Sequence, residues 1–339
     1  MNPRKSLKRY AWLIMAWSLF AIIVAGWLIY WNIVASTAEA RLAGWVAQQN
    51  AGGAHAAYQH VSRHGFPVLM RLQIDGVSYA PAHGDWRAET ARADLNIEML
   101  NTQHVIVQPR SQIALLRGDT VIAAISAETL LLSVRMENGA LAVAGVEADK
   151  LRLEDRSQSR VLGAAKLVAN LRPDPRLAGD YQLALRADGV TLPSPVRGLE
   201  AFGLNIPVLQ ADIVIEQAAL LWQGGQDDPL EAWRAGAGKL RFEALGLNWG
   251  PLQTIGAGAA SLDRARRLTG ELSLPIAAPA PVFNALAEGP SLSASARRAL
   301  KLLGTGYALN QRQLLLHVAA HDGVLSIEGL PLRTLAPAY

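Results

Sequence analysis

The chain of 339 residues contains no cysteine. That absence excludes disulfides, thiolate catalysis, iron–sulfur clusters and every zinc site built on Cys, although it names no compartment. Charge is scarce too, at 18% of residues, and its net value of +4 belongs to one end. Arg4, Lys5, Lys8 and Arg9 precede the first acidic residue, and the other 28 basic residues are matched by 28 acidic ones. A body with no basic excess lacks the field that neutralises phosphates, so a nucleic-acid partner of the usual kind is excluded. Short catalytic signatures are missing as well: the sequence has no G-x-S-x-G elbow, no H-E-x-x-H pair and no EF-hand loop. Gly256-Ala-Gly258 has no third glycine, and 236–239 (GAGK) lacks the earlier Gly and the following Ser/Thr of a phosphate cradle. No cofactor is expected, and the chain is not read as an enzyme.

Apolar residues are plentiful, at 51%. The run from Ala11 to Trp31 carries no charge and is about 31 Å long as a helix, enough to cross bilayer hydrocarbon once. Trp12 and Trp17 stand towards one end and Trp27, Tyr30 and Trp31 at the other, where amphipathic rings favour the headgroup boundary. The positive-inside rule keeps the tip 1–9 cytoplasmic. This predicts a single-pass inner-membrane protein with a transmembrane helix at 10–34, a membrane-proximal helix or linker at 35–53 and a periplasmic body at 54–339. The rival reading is a signal peptide cleaved after Ala38, since Ser36-Thr37-Ala38 offers small residues there. The apolar run is longer than a usual signal core, which favours the anchor.

The proximal helix is expected over 37–49, with Ala40, Leu42, Trp45 and Val46 as its apolar positions and Gly52-Gly53 as its end. Beyond it the period changes to two. Phe66, Val68, Met70, Leu72 and Ile74 alternate with other residues, as do Ala91 to Met99, Leu130 to Met136, Ala165 to Leu171, Tyr181 to Leu185, Ala211 to Ile215 and Leu314 to Val318. Strands that follow one another without long helices predict a mainly β body: large, curved, antiparallel sheet with a few short helices. Asp75-Gly76, Asn138-Gly139, Asp188-Gly189 and Asp322-Gly323 are expected hairpin turns. Asp228-Pro229 with Glu231 opens a helix expected over 229–235. A second helix begins near Ser291, with Leu292, Ala296, Ala299, Leu300 and Leu303 on its apolar face and Gly304 at its end. If the body has two halves, the Pro-rich region 173–195 is the expected joint.

Neither His60 with His64 nor His317 with His321 has a third ligand at a suitable spacing, so no metal site is assigned. Arg297, Arg298 and Lys301 form one helical face and are candidate contacts for anionic headgroups, with a plain solvated face as the alternative.

The segments 230–234 (LEAWR), 236–240 (GAGKL), 247–252 (LNWGPL) and 256–263, with 65–67 (GFP) and 322–332, resemble a family of uncharacterised envelope proteins of Gram-negative, mainly alphaproteobacterial, cells. The likeness covers nearly the whole chain and implies no activity. The layout is also similar to that of AsmA-like proteins, which implies a periplasmic β-rich body with an apolar groove used in lipid handling. Two non-catalytic functions follow. One is a scaffold or partner-binding module for envelope proteins, with a closed core. The other is a lipid- or acyl-chain-binding protein whose groove is lined by Leu95, Ile97, Leu132, Val134, Ile213 and Ile215.

Overall fold

The computed structural model describes residues 4–338 apart from 83, 138–139, 197–198, 222–227, 291–293, 311–313 and 328. The chain forms two compact units, Met1–Val121 and Ile122–Tyr339. The Pro-rich region 173–195 lies inside the second unit, so the joint expected there is not where the units part.

The first unit begins with α1 (Arg4–Ala51), followed by β1 (His55–Ala57), β2 (His60–His64), β3 (Leu69–Ala80), β4 (Arg87–Glu98), β5 (Asn101–Pro109) and β6 (Ile113–Arg117). The expected break between a transmembrane helix and a proximal helix is absent: α1 is one helix of 48 residues. Nothing between Trp31 and Ser36 interrupts it. Asn32 and Thr37 instead return side-chain hydrogen bonds to the preceding turn, Asn32 Nδ2 to the Leu28 carbonyl at 2.9 Å and Thr37 Oγ1 to that of Ile33 at 2.7 Å. The helix is long and apolar enough to cross a membrane.

Trp31, Ala35 and Ala38 recur at helical spacing and pack with Met70, Leu72, Ile74, Ile97 and Met99 into one core, which Leu42 borders. Ala40, expected on the apolar face, is exposed. Antiparallel β3 is paired with β2 and β1 on one side and with β4 on the other. Its alternation starts at Met70, because Phe66 and Val68 precede the strand and are exposed. His60 and His64 lie on β2, a strand and not a helix.

The second unit is a meander. After β7 (Thr120–Ser126) come β8 (Thr129–Glu137), β9 (Ala140–Asp155), β10 (Arg160–Pro173), β11 (Tyr181–Thr191), β12 (Asn205–Ile215), α2 (Pro229–Ala235), β13 (Lys239–Trp249), β14 (Leu252–Leu262) and β15 (Leu268–Ile276). The unit ends with α3 (Pro279–Ala287), α4 (Ala294–Asn310), β16 (Leu314–His321), β17 (Val324–Ile327) and β18 (Leu330–Thr334). From β8 to β18 each strand pairs antiparallel with the next. The fold is therefore mainly antiparallel β, as the alternation implied.

Helix α2 is capped as expected, with Asp228 Oδ1 accepting from the Glu231 amide at 3.0 Å. Helix α4 departs from expectation. It runs through Gly304 to Asn310, and its expected start at Ser291-Leu292 lies outside the described residues. A Cβ at Gly304 would come 2.6 Å from Asn284 Oδ1 on α3, so this glycine allows close approach and does not end the helix. Leu303, assigned to the packed face, is exposed. Of the expected turns, Asp322-Gly323 joins β16 to β17 with both residues at positive φ. Asp75-Gly76 and Asp188-Gly189 instead lie within β3 and β11, and Asn138-Gly139 lies outside the described residues.

Candidate functional site

The register of the second unit brings one set of side chains onto one face. Val134 on β8 pairs with Ala144, which faces Leu171, and the row continues through Leu183, Ile213, Phe242, Gly258 and Leu272 to Val318 on β16. Every residue in this row is apolar or glycine. A parallel row two residues away runs Leu132, Val146, Ala169, Leu185, Ala211 and Leu245. At about 4.8 Å between strands, the longer row extends roughly 38 Å.

One extra residue in β13 keeps the row continuous. Asp212 pairs with Ala244 but Ile213 pairs with Phe242, so Glu243 is bulged out and the flanking apolar residues stay in phase. Gly256 and Gly258, which loosely resemble a nucleotide loop in sequence, lie within β14. A Cβ at Gly258 would overlap the Glu271 carbonyl on β15, so the glycine serves strand approach.

Burial varies along this face. At one end Ala187, Val190, Phe202, Ile206, Trp249, Ile276 and Val282 form a closed cluster, to which α3 contributes Val282 and a 3-10 turn at Glu200–Phe202 contributes Phe202. Along the Val134–Val318 row the cover is incomplete. Val134 is 41% exposed, and every other member is half-buried. Side chains pressed together laterally but lacking a lid give this pattern, whereas a packed core excludes water from its large members. Among the described residues, the least accessible large side chains of this unit lie elsewhere, Ile276 at 2% in the closed cluster and Val214 at 1% on the opposite face.

That opposite face is polar. Lys166 pairs with Glu147 at 3.4 Å, Arg186 with Asp188 at 2.8 Å, and Arg241 with Glu216 at 3.8 Å. Arg172 donates to Gln182 Oε1 from Nε at 3.1 Å and from Nη2 at 3.0 Å. Next to the β10–β11 turn, Arg176 donates to buried Asp174 and reaches Glu243 at 2.8 Å. The Arg176 side chain, helped by its own backbone N–H, holds the Asp174 carboxyl down to about 2. The sheet is thus amphipathic: ion pairs meet water on one side, while the other presents hydrocarbon.

Leu132, Val134, Ile213 and Ile215 lie on this apolar face. Leu95 and Ile97 do not join them. Both belong to the first unit, Ile97 in the core with Trp31 and Leu95 against it. Leu183, on the alternating stretch Tyr181 to Leu185, joins the same row, as do Phe242 and Leu272, outside the stretches assigned from alternation; register unites them. Arg297, Arg298 and Lys301 are exposed on α4, as are Leu302, Leu303 and Leu309. His321 Nε2 lies 3.0 Å from Glu271 Oε1, and His64 Nε2 lies 3.1 Å from Ser62 Oγ. No group of three metal-binding side chains occurs among the described residues.

Comparison with curated proteins and with solved structures gives no match. Residues 31–336 match a family described as "Uncharacterized protein conserved in bacteria (DUF2125)". The match spans both compact units, and the chain belongs to this family.

Proposed function

We propose that α1 anchors the protein in the inner membrane and that the apolar face of β8–β16 holds the acyl chains of envelope lipids, without catalysis. The observation that carries the reading is the half-covered row from Val134 to Val318. Contiguous apolar surface of this extent is rarely left accessible unless something binds it. The scaffold reading needs a closed core, and the incomplete cover of the row favours the acyl reading over it. An extended hydrocarbon chain is chemically suited to a floor that offers no hydrogen-bonding side chain. The likeness to AsmA-like proteins agrees with this assignment. On α4, Arg298 and Lys301 beside exposed Leu302 supply the positive charge and apolar contact that an anionic headgroup would use, and Arg297 extends the basic surface.

Retention of α1 is supported by packing. Cleavage after Ala38 would remove Trp31, Ala35 and Ala38 from the core around Met70 and Leu72. It would also remove the hydrogen bonds from Trp27 and Tyr30 to the backbone of the first unit. With the basic tip on the cytoplasmic side, the β body is periplasmic. The test is to purify the full chain in mild detergent, extract bound lipid and identify it by mass spectrometry. Near-stoichiometric phospholipid or lipid A precursor in the parent, and its loss in Leu183→Asp with an unchanged far-ultraviolet spectrum, supports the reading. Equal lipid in both proteins contradicts it.

A further inference from the structure

The first unit carries a second apolar surface, apart from the row just described. Two turns, one leading into β3 and one joining β4 to β5, expose large hydrophobic side chains. Phe66 is 49% exposed, Val68 78% and Leu100 92%. None of them is a member of the core around Trp31. Both turns are fastened to the same short stretch of α1: Trp27 Nε1 donates to the Pro67 carbonyl at 2.8 Å, and Tyr30 Oη to the Met99 carbonyl at 2.8 Å. The Trp31 indole meets the Phe66 ring edge-on, with centroids 5.9 Å apart.

The position of this stretch along α1 is informative. On the side towards the N-terminus, Trp17, Phe20, Ile22 and Ile23 are all exposed. From Tyr10 to Gly26 the helix rises about 25 Å, several ångströms less than the ~30 Å of bilayer hydrocarbon. Continuing to Tyr30 brings the rise to about 31 Å. A helix that spans from its basic tip therefore reaches the far edge of the hydrocarbon between Trp27 and Trp31, which is the level at which both turns are attached. Indole and phenol rings favour that boundary, and here their polar atoms are spent on holding the turns.

We propose that Phe66, Val68 and Leu100 form a rim that enters the headgroup boundary of the phospholipid bilayer beside α1, seating the first unit directly on the membrane. The proposal rests on the anchor reading of α1. It differs from a flexible tether, in which the body hangs clear of the surface. Burying Val68 and Leu100 in lipid removes from water two side chains that the fold leaves exposed.

The cysteine-free sequence allows single nitroxide labels without background. Four full-length variants, Val68→Cys, Leu100→Cys, Phe20→Cys and Asp119→Cys, are labelled and reconstituted into phosphatidylethanolamine–phosphatidylglycerol vesicles. Collision rates with oxygen and with a water-soluble nickel chelate then give depth. The expected oxygen-to-nickel ratio at positions 68 and 100 is several-fold above that at 119 and below that at 20. Ratios at 68 and 100 equal to that at 119, with position 20 deep in lipid, overturn the rim and keep the anchor. A water-exposed label at 20 with lipid-exposed labels at 68 and 100 keeps the rim and overturns the anchor, whereas water exposure at all four overturns both.

Discussion

Ile213 and Val214 are consecutive on β12 and look out of opposite faces of the sheet, Val214 at 1% exposure and Ile213 half-buried between its cross-strand neighbours Leu183 and Phe242. The same substitution should therefore have unlike effects. Val214→Asp puts a carboxylate where water does not reach, opposite Arg241, which Glu216 and Glu243 already share; desolvation outweighs that one contact and costs about 2 kcal/mol or more. Ile213→Asp leaves its carboxylate in contact with water, so the thermal midpoint stays near that of the parent while bound lipid is lost. Melting of the two full-length variants in detergent, with lipid extraction, checks this. An equal fall in both midpoints would mean that both faces are closed.

Helix α1 should be two things along its length. Trp17 is 66% exposed, whereas Trp31 is 8% exposed in the core with Met70 and Leu72. Trp31→Ala is expected to destabilise the first unit by about 3 kcal/mol through the cavity it leaves. Trp17→Ala should have no measurable effect there. Hydrogen exchange of the β3 amides reads both, and equal protection in the two variants would place the helix outside the core.

The Asp174–Arg176 pair predicts a pH window. The folded-state carboxyl is lowered to about 2, below an unfolded value of about 3.9. Its stabilising contribution is therefore present above about pH 4 and is lost as the pH falls towards 2. Asp174→Asn should flatten that part of the stability profile while leaving the neutral-to-alkaline limb unchanged in slope. Denaturant midpoints measured between pH 2 and 7 decide the matter, and identical acid limbs in parent and variant would refute the assignment.

Gly304 faces α3 closely: a Cβ there would come 2.6 Å from Asn284 Oδ1, at the movable end of its side chain, and 3.4 Å from the Ala280 carbonyl. Gly304→Val is expected to cost about 1–3 kcal/mol by overpacking. The readout is loss of the Phe283–Tyr307 ring stack, now 5.5 Å between centroids, in aromatic nuclear Overhauser contacts. Retention of those contacts at parental stability would show that a valine fits there without parting the helices.

Much of the fold was legible in the sequence because alternation is local. Leu130, Leu132 and Val134 declare a strand without reference to any partner, and Asp228-Pro229 declares a helix start. What was not legible depends on distant partners. Phe66 and Val68 continue the alternation of Met70 and Leu72, yet lie outside the strand, because Trp27 and Trp31 hold that turn against α1. Leu95 and Ile97 look the same in sequence as Leu132 and Val134, and only pairing assigns the first two to the core around Trp31. Asp75-Gly76 has the composition of a turn, but β3 changes partner from β2 to β1 there and passes straight through. The apolar row crosses β8 to β16 through a bulge at Glu243 that no local period reveals.

The proposed acyl binding turns on the face that contains Ile213. A photo-cross-linking amino acid placed at position 213 of the full chain in living cells, with Asp212 on the polar face as the control, tests it most directly. Irradiation should yield lipid adducts from position 213, identified by mass spectrometry of the purified protein, and none from position 212. Cross-links from 213 confined to the protein's own side chains, or equal lipid adducts from both positions, would contradict the account.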